Sequence, residues 1–345
     1  MLEPTFVHDS YSCRLGKGTF EGIRRCAHHI RSCTQNWQLP AWALQLDIRG
    51  YFMSIHKQKL YELLSAGIES RRGAVCPWTR LRWEESVDYG LIDFLVRSIL
   101  FRDPVDGCLV IGDEREWDGF PKEKSLRLSR TPGVGLPIGD LTSQLFSNVF
   151  LNPLDQFVKR ELRCRHYGRY VDDFYIIHPD RCFLEMLIPV IAAFLEEKLH
   201  LRVHPSKIRL TRVDQGVRFL GAVIKPFRMY VSNRTVRSFH AKMHLWERRC
   251  ENHKLSDAEV DLLVQVINSY TGYLSHFRTS RLRKQAFSSS PLNRYVVFSG
   301  GWRKCEARRR PRLIIPLEHD PAIFDRRLPV FDLNSDIDMD YEMFS

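Results

Sequence analysis

Cys-x-x-Cys pairs are absent from this chain, although it holds nine cysteines, and that removes the common zinc-module and dithiol-redox frames. Cys13, Cys26 and Cys33, with His28 and His29, come nearest to a metal cluster, but their spacing matches no standard zinc module. Scattered cysteines of this kind point to reduced thiols. Long apolar runs are also lacking. The longest, Leu184 to Leu195, is broken by Glu185 and Pro189 and is too short to span a bilayer. The first thirty residues are mixed and charged, without a secretory leader pattern, so a cytoplasmic, soluble protein is expected. No internal repeat is visible. Negative charge is scarce relative to positive: 41 Asp and Glu stand against 52 Lys and Arg, a net charge of +11 with a pI near 9.3. An excess of that sign is the footprint of a polyanionic partner. It is also uneven. Six basic residues fall between Trp302 and Arg312, whereas the chain from Glu318 onward has eight acids and two arginines.

What is present is an ordinary globular composition, 44% hydrophobic and 27% charged over 345 residues, enough for two or three subdomains. The most informative stretch is Arg169-Tyr170-Val171-Asp172-Asp173-Phe174-Tyr175. Two adjacent carboxylates lie between apolar runs that read as short buried strands. Acids at such a junction repel each other and titrate upward unless a cation sits on them. Hard divalent cations take oxygen ligands, so the pair reads as a Mg²⁺ site at a hairpin turn; an exposed Asp-Asp turn is the ordinary alternative. Earlier in the chain, Leu44, Leu46 and Ile48 alternate with Gln45 and Asp47, a strand with one polar face that ends in an acid and two aromatics, Tyr51 and Phe52.

Around these acids the pattern predicts helices over 21–30, 57–68, 83–101 and 181–198, with apolar spacing in the third at Leu91, Phe94, Leu95 and Ile99. Residues 102–133 read as a solvent-facing hairpin and loop. The Gly/Pro-rich stretch 133–139 ends at Asp140, placed to N-cap a long helix that Pro153 should kink or break. Short strands are expected over 201–210, 218–224 and 229–231, and mostly helix from Ser232 onward. There basic and aromatic residues interleave (Lys242, Trp246, Arg248, Arg249, Tyr270, Tyr273, Arg278, Arg281), which suits a nucleic-acid groove, although core packing explains the aromatics equally well. The order predicts an α+β sheet with helices on one face.

Asp47 on one strand and Asp172-Asp173 on a hairpin form the set a two-metal phosphoryl transferase needs. From Asp9 to Lys284 the chain resembles reverse transcriptases: Tyr170-Val171-Asp172-Asp173 is similar to their Y-x-D-D box, Leu46-Asp47-Ile48 with Tyr51-Phe52 to their first-aspartate motif, and Val217 to Gly221 to their primer-grip strands. Most members carry Gln-Gly-x-x-x-Ser-Pro where this chain has Ile138-Gly139 through Ser143-Gln144. That form, together with Asp9 to Arg14, Gly16 to Thr19, and the Asp103-Pro104 to Lys124-Ser125-Leu126 loop, resembles the enzymes of diversity-generating retroelements.

The resemblance implies a right-hand polymerase: fingers and palm with an antiparallel sheet over 1–230, a helical thumb over 231–300, then a basic segment and an acidic tail over 301–345. It implies an RNA-directed DNA polymerase that copies a template-repeat RNA into cDNA, with errors at adenines, for mutagenic homing. Asp47, Asp172, Asp173 and the Ile48 carbonyl would hold two Mg²⁺ ions. Arg14, Lys17, Tyr51 or Phe52, Ile138 and Gly139 would meet the incoming nucleotide, and Phe219, Leu220 and Gly221 would grip the primer. Implied partners are template RNA, the cDNA primer strand, dNTPs and a retroelement accessory protein. No endonuclease or RNase H module is recognisable, and the acidic tail, Asp332 to Glu342, maps to nothing in the family; it reads as solvated disorder or as a contact for a basic surface. A retron, group II intron or antiviral reverse transcriptase, or an inactive polymerase-like RNA-binding protein, are the alternatives.

Overall fold

Alternation of apolar and polar residues along Trp42–Leu46 makes the central strand of the sheet that carries the acids. The computed structural model describes residues 2–109, 114–117, 119–121, 124–129 and 131–308. They fall into two compact units, one running to Leu220 with Ile224–Phe227, the other comprising Gly221–Val223 and the chain from Arg228.

In the first unit, β1 (Trp42–Leu46), β2 (His166–Tyr170), β3 (Asp173–His178) and β4 (Arg209–Arg212) form an antiparallel sheet in the order β2-β3-β1-β4. The helices are α1 (Thr19–Cys33), α2 (Tyr51–Ser54), α3 (Lys57–Glu69), α4 (Trp83–Ser86), α5 (Tyr89–Phe101), α6 (Leu126–Ser129), α7 (Leu141–Gln156) and α8 (Arg181–Leu199). Leu44, Leu46, Phe174 and Ile176 point to one face, into a core with Phe150 and Leu154 of α7 and Leu184 and Ile191 of α8. Tyr175, on the opposite face, meets His29 of α1 through a hydrogen bond of 3.0 Å. Helices therefore cover both faces of the sheet, where one was expected. The segment at Asp9–Tyr11 runs beside β2, bonded through Arg169 N–H to Asp9 and Tyr11 N–H to Arg169, and so closes that sheet edge.

Several local expectations change for local reasons. The helix expected over 83–101 is two, because the Asp88 side chain caps Leu91 and starts α5 afresh. Its predicted apolar face is largely exposed, Phe94 at 64%. α7 continues past Pro153 to Gln156 without a break and is followed by a π turn over Phe157–Glu161, with Phe150, Leu154 and Val158 buried in one core. Asp140 sits at the N-cap position of α7 without a side-chain cap bond. The strand expected over 201–210 is interrupted by a 3₁₀ turn at Pro205–Lys207, since proline cannot donate to a ladder.

The passage between the units is made of β5 (Val217–Phe219), β6 (Ala222–Lys225) and β7 (Arg228–Val231), and the single strand expected over 218–224 is split by Leu220 and Gly221, both at positive φ. The second unit packs α9 (Asn233–Asn252), α10 (Asp257–Ser275) and α11 (Ser280–Phe287) around Phe239, Trp246, Leu263, Ile267 and Phe287. A hairpin, β8 (Val296–Ser299) with β9 (Lys304–Ala307), turns at Gly300-Gly301, both at positive φ. The interleaved aromatics Trp246 and Tyr270 belong to this core, while Arg248, Arg278, Arg281 and Lys284 are exposed. The acidic tail lies outside the described residues, as does the basic run from Arg309.

Candidate active site

Strand register builds the site. Leu46 pairs with Phe174, so Asp47 comes one step beyond that pair, at the level of Asp173 on the neighbouring strand. Tyr170 pairs with Asp173, leaving Val171 and Asp172 as the two-residue loop of the β2–β3 hairpin. Asp172 and Asp173 thus leave the sheet end beside Asp47: burial first, then the Asp47 charge, pushes Asp172 up to about 7, and burial, then the charges of Asp172 and Asp47, pushes Asp173 up to about 8.

Lys207 supplies a cation. Its Nζ lies 3.0 Å from Asp47 Oδ2, and its attraction pulls against the rise at Asp172 and Asp173. The other oxygen, Asp47 Oδ1, is buried without a hydrogen-bond partner. A buried carboxylate oxygen left unmet is costly, and a hard cation is what such a donor set accepts. Asp47 C=O accepts from His204 N–H and Arg49 N–H donates to the Arg202 carbonyl, so Ile48 is a non-hydrogen-bonded pair with Val203 and its carbonyl does not bond that segment. The three acids with this carbonyl fit a divalent cation in oxygen chemistry. Among the described residues, however, no three His, Cys, Asp or Glu side chains are already drawn together as a metal cage, Cys13, Cys26, Cys33 and their histidines included.

The other expected residues divide. Phe52 is half-buried and joined to the Gly-rich loop, since its carbonyl accepts from Leu136 N–H at 2.8 Å; two residues on, Ile138 is 49% exposed and Gly139 adopts φ 107°. Tyr51 goes elsewhere: it is 2% exposed and donates to the Ser147 carbonyl at 2.7 Å, so the core, not a nucleotide, occupies it. Arg14 is likewise turned inward, its guanidinium bonded to the Val7 and Ser10 carbonyls and to Glu3. Lys17 lies 3.0 Å from His8 Nε2 in the loop of Gly16 and Gly18. Phe219 and Leu220 are buried, Phe219 edge-on to Tyr175 with ring centroids 4.9 Å apart, and the Gly221 carbonyl accepts from Ser232 N–H.

Sequence pattern missed Lys207, hidden in a stretch read as strand. It also missed Arg169, which is fully buried and forked onto Asp155 with Nε–Oδ1 and Nη2–Oδ2 both 2.7 Å. Burial opposes the Arg169 charge, but the pull of Asp155 outweighs it and raises its pKa. A second buried group, Asp9, binds Arg25 Nε at 2.8 Å; burial works against its ionisation, but hydrogen bonds from His29 and Arg25 hold it well below the usual carboxylate range. No periodicity marks these positions; the one available signal was, for Arg169, a charge inside the strand before the paired acids.

Among the described residues no helix is long and apolar enough to cross a membrane. Among curated proteins the chain is similar to Protein YkfC of Escherichia coli (strain K12), 21% identical over 256 residues that cover 64% of this chain and 57% of that protein. Among solved structures it is similar to apo telomerase from Candida Tropicalis (TM-score 0.49, 12% identity, 81% of this chain and 47% of that one). It is also similar to telomerase from Candida albicans in complex with a TWJ fragment of telomeric RNA (TM-score 0.41, 11% identity, 82% and 45%). The chain thus spans 57% of its curated relative and less than half of these telomerases. Residues 1–224, which hold the whole β1–β4 sheet and its three acids, match the family model described as reverse transcriptase (RNA-dependent DNA polymerase), and the chain belongs to that family.

Proposed function

We propose that this chain is an RNA-directed DNA polymerase, a nucleotidyltransferase of right-hand form that extends a primer strand with dNTPs on an RNA template. The observation that carries this reading is the register that sets Asp47 beside Asp172 and Asp173, with Asp47 Oδ1 unmet. The family generally uses divalent metal ions, and the reading assigns two Mg²⁺ to Asp47, Asp172, Asp173 and the Ile48 carbonyl. Bound there, they would lower the pKa of a 3′-hydroxyl and offset the charge of the triphosphate. The protein's own groups do the rest: the hairpin orients the acids, Phe52 limits space at the sugar, Ile138 and Gly139 face the nascent pair, and Lys17 offers a charge to phosphate. The exposed arginines of the second unit, in a chain of net charge +11, favour a polyanionic template.

The finer reading is a diversity-generating retroelement enzyme that copies a template-repeat RNA with errors at adenines, works with an accessory protein and acts in the cytoplasm. It rests on Ile138-Gly139 through Ser143-Gln144. An aliphatic Ile138 lacks the polar contact that a glutamine would make, which weakens selection of the base pair. The test is dNTP incorporation on an RNA template with Mg²⁺, comparing wild type with Asp172→Ala plus Asp173→Ala. Loss in the double variant is expected; equal incorporation rules the polymerase reading out. A genomic repeat pair differing mainly at adenines is expected beside the gene.

A further inference from the structure

Val171 stands where the hairpin geometry favours glycine. It is the first residue of a two-residue loop, with φ 53°, while Asp172 after it stays at negative φ. That is the pattern in which glycine normally takes the first position. For a β-branched residue the left-handed region is strained and persists only where the surroundings hold it. Both backbone polar groups of Val171 are held by side chains from outside the loop. Its N–H donates to Ser12 Oγ at 3.2 Å, and its carbonyl accepts from Arg169 Nη1 at 2.9 Å. These two side chains are themselves fixed. Ser12 is 1% exposed and donates to Asn148 Oδ1, while Arg169 and Asp155 are fully buried and fork-bonded, with Tyr167 donating to the same Asp155 oxygen at 2.6 Å.

We propose that Ser12 and Arg169 are positioning residues for nucleotidyl transfer: together they clamp Val171 in its left-handed conformation and thereby aim Asp172 and Asp173 at Asp47. The proposal rests on the polymerase reading for its consequence, but not for its geometry. The Arg169 charge is matched by Asp155, so the clamp acts through direction. A lysine at 169 keeps the charge but has no fork to reach Asp155 and the Val171 carbonyl together. A glycine at 171 has no Cβ strain in this conformation and needs the clamp less.

The experiment uses the full chain as Ser12→Ala, Arg169→Lys, Val171→Gly and the Ser12→Ala/Val171→Gly pair. Amide exchange at Asp172 and Asp173 is read in metal-free protein, and kcat, dNTP KM and melting temperature on the same samples. For Ser12→Ala we expect exchange at these two amides about tenfold faster and kcat about tenfold lower, with KM and melting temperature near wild type. Adding Val171→Gly should return kcat about threefold or more. Arg169→Lys should show the same split of kcat from KM; if it fails to fold, the Ser12 variants decide. Wild-type kcat in Ser12→Ala, or a fall of kcat and melting temperature together that Val171→Gly does not relieve, overturns the clamp. Were the wild type to incorporate no dNTP, the polymerase reading would fall. The exchange arm would still judge the clamp, and unchanged exchange at Asp172 and Asp173 in Ser12→Ala would sink it.

Discussion

Lys207 donates to Asp47 Oδ2 at 3.0 Å, while Oδ1 of the same carboxylate is buried and unmet. One half of Asp47 is therefore neutralised from within the chain and the other half is left without a partner. Attraction to Lys207 also favours the ionised forms of Asp172 and Asp173. Replacing Lys207 with Gln should move both titrations to higher pH in metal-free protein. Carboxyl carbon NMR across that range reads the shift directly, and unmoved midpoints would contradict the assigned contact.

Stability should depend on pH through the same pair. Asp172 and Asp173 are raised in the folded chain, to about 7 and about 8, by burial and by neighbouring carboxylates. Between the unfolded value of 3.8 and these folded values the native state binds more protons than the unfolded state. Stability therefore falls as pH rises through that window, and the pair's penalty is complete above the upper value. The two interact, so the loss belongs to the pair. Urea midpoints without divalent cations, taken on both sides of the window, should show a smaller pH difference in Asp172→Asn plus Asp173→Asn than in wild type.

Gly168 is closed in from two sides. A Cβ there would stand 2.5 Å from the Tyr175 hydroxyl oxygen and 2.6 Å from that of Tyr11, and the two hydroxyls bond each other at 3.1 Å in the interior. Neither can retreat without breaking a buried bond. Gly168→Ala should cost about 1–3 kcal/mol by overpacking, measured by denaturant unfolding, and Tyr11→Phe in the same chain should return part of it.

Ile138 is 49% exposed, so Ile138→Gln should change stability by no more than about 0.5 kcal/mol. Its effect should appear in copying instead: fewer errors at template adenines when the cDNA is sequenced. An unchanged adenine error rate would remove Ile138 from the account of fidelity.

Much of the site is legible in sequence because its signals are local. Alternation identifies the strand that ends at Asp47, and apolar flanks mark the hairpin around Asp172 and Asp173. Helices α1, α3 and α8 follow from three- and four-residue spacing. The misses share a cause as well. Tyr51 and Phe52 are adjacent aromatics with equal claims by pattern, and only burial sends Tyr51 to the Ser147 carbonyl. Arg14 reads as a free cation until the chain folds back and offers it the Val7 and Ser10 carbonyls.

The sequence by itself determined the chemistry available to this protein: three acids at strand ends, a glycine-rich loop, an excess of positive charge and a family. Tertiary structure alone decided which groups meet. Ser12 reaches Val171 across 159 positions, Lys207 reaches Asp47 across 160, and Arg169 finds Asp155 on a different element. Periodicity reports which side of an element is buried, but a polar group taken out of water must find its partner wherever the fold brings one, and no spacing rule encodes that choice.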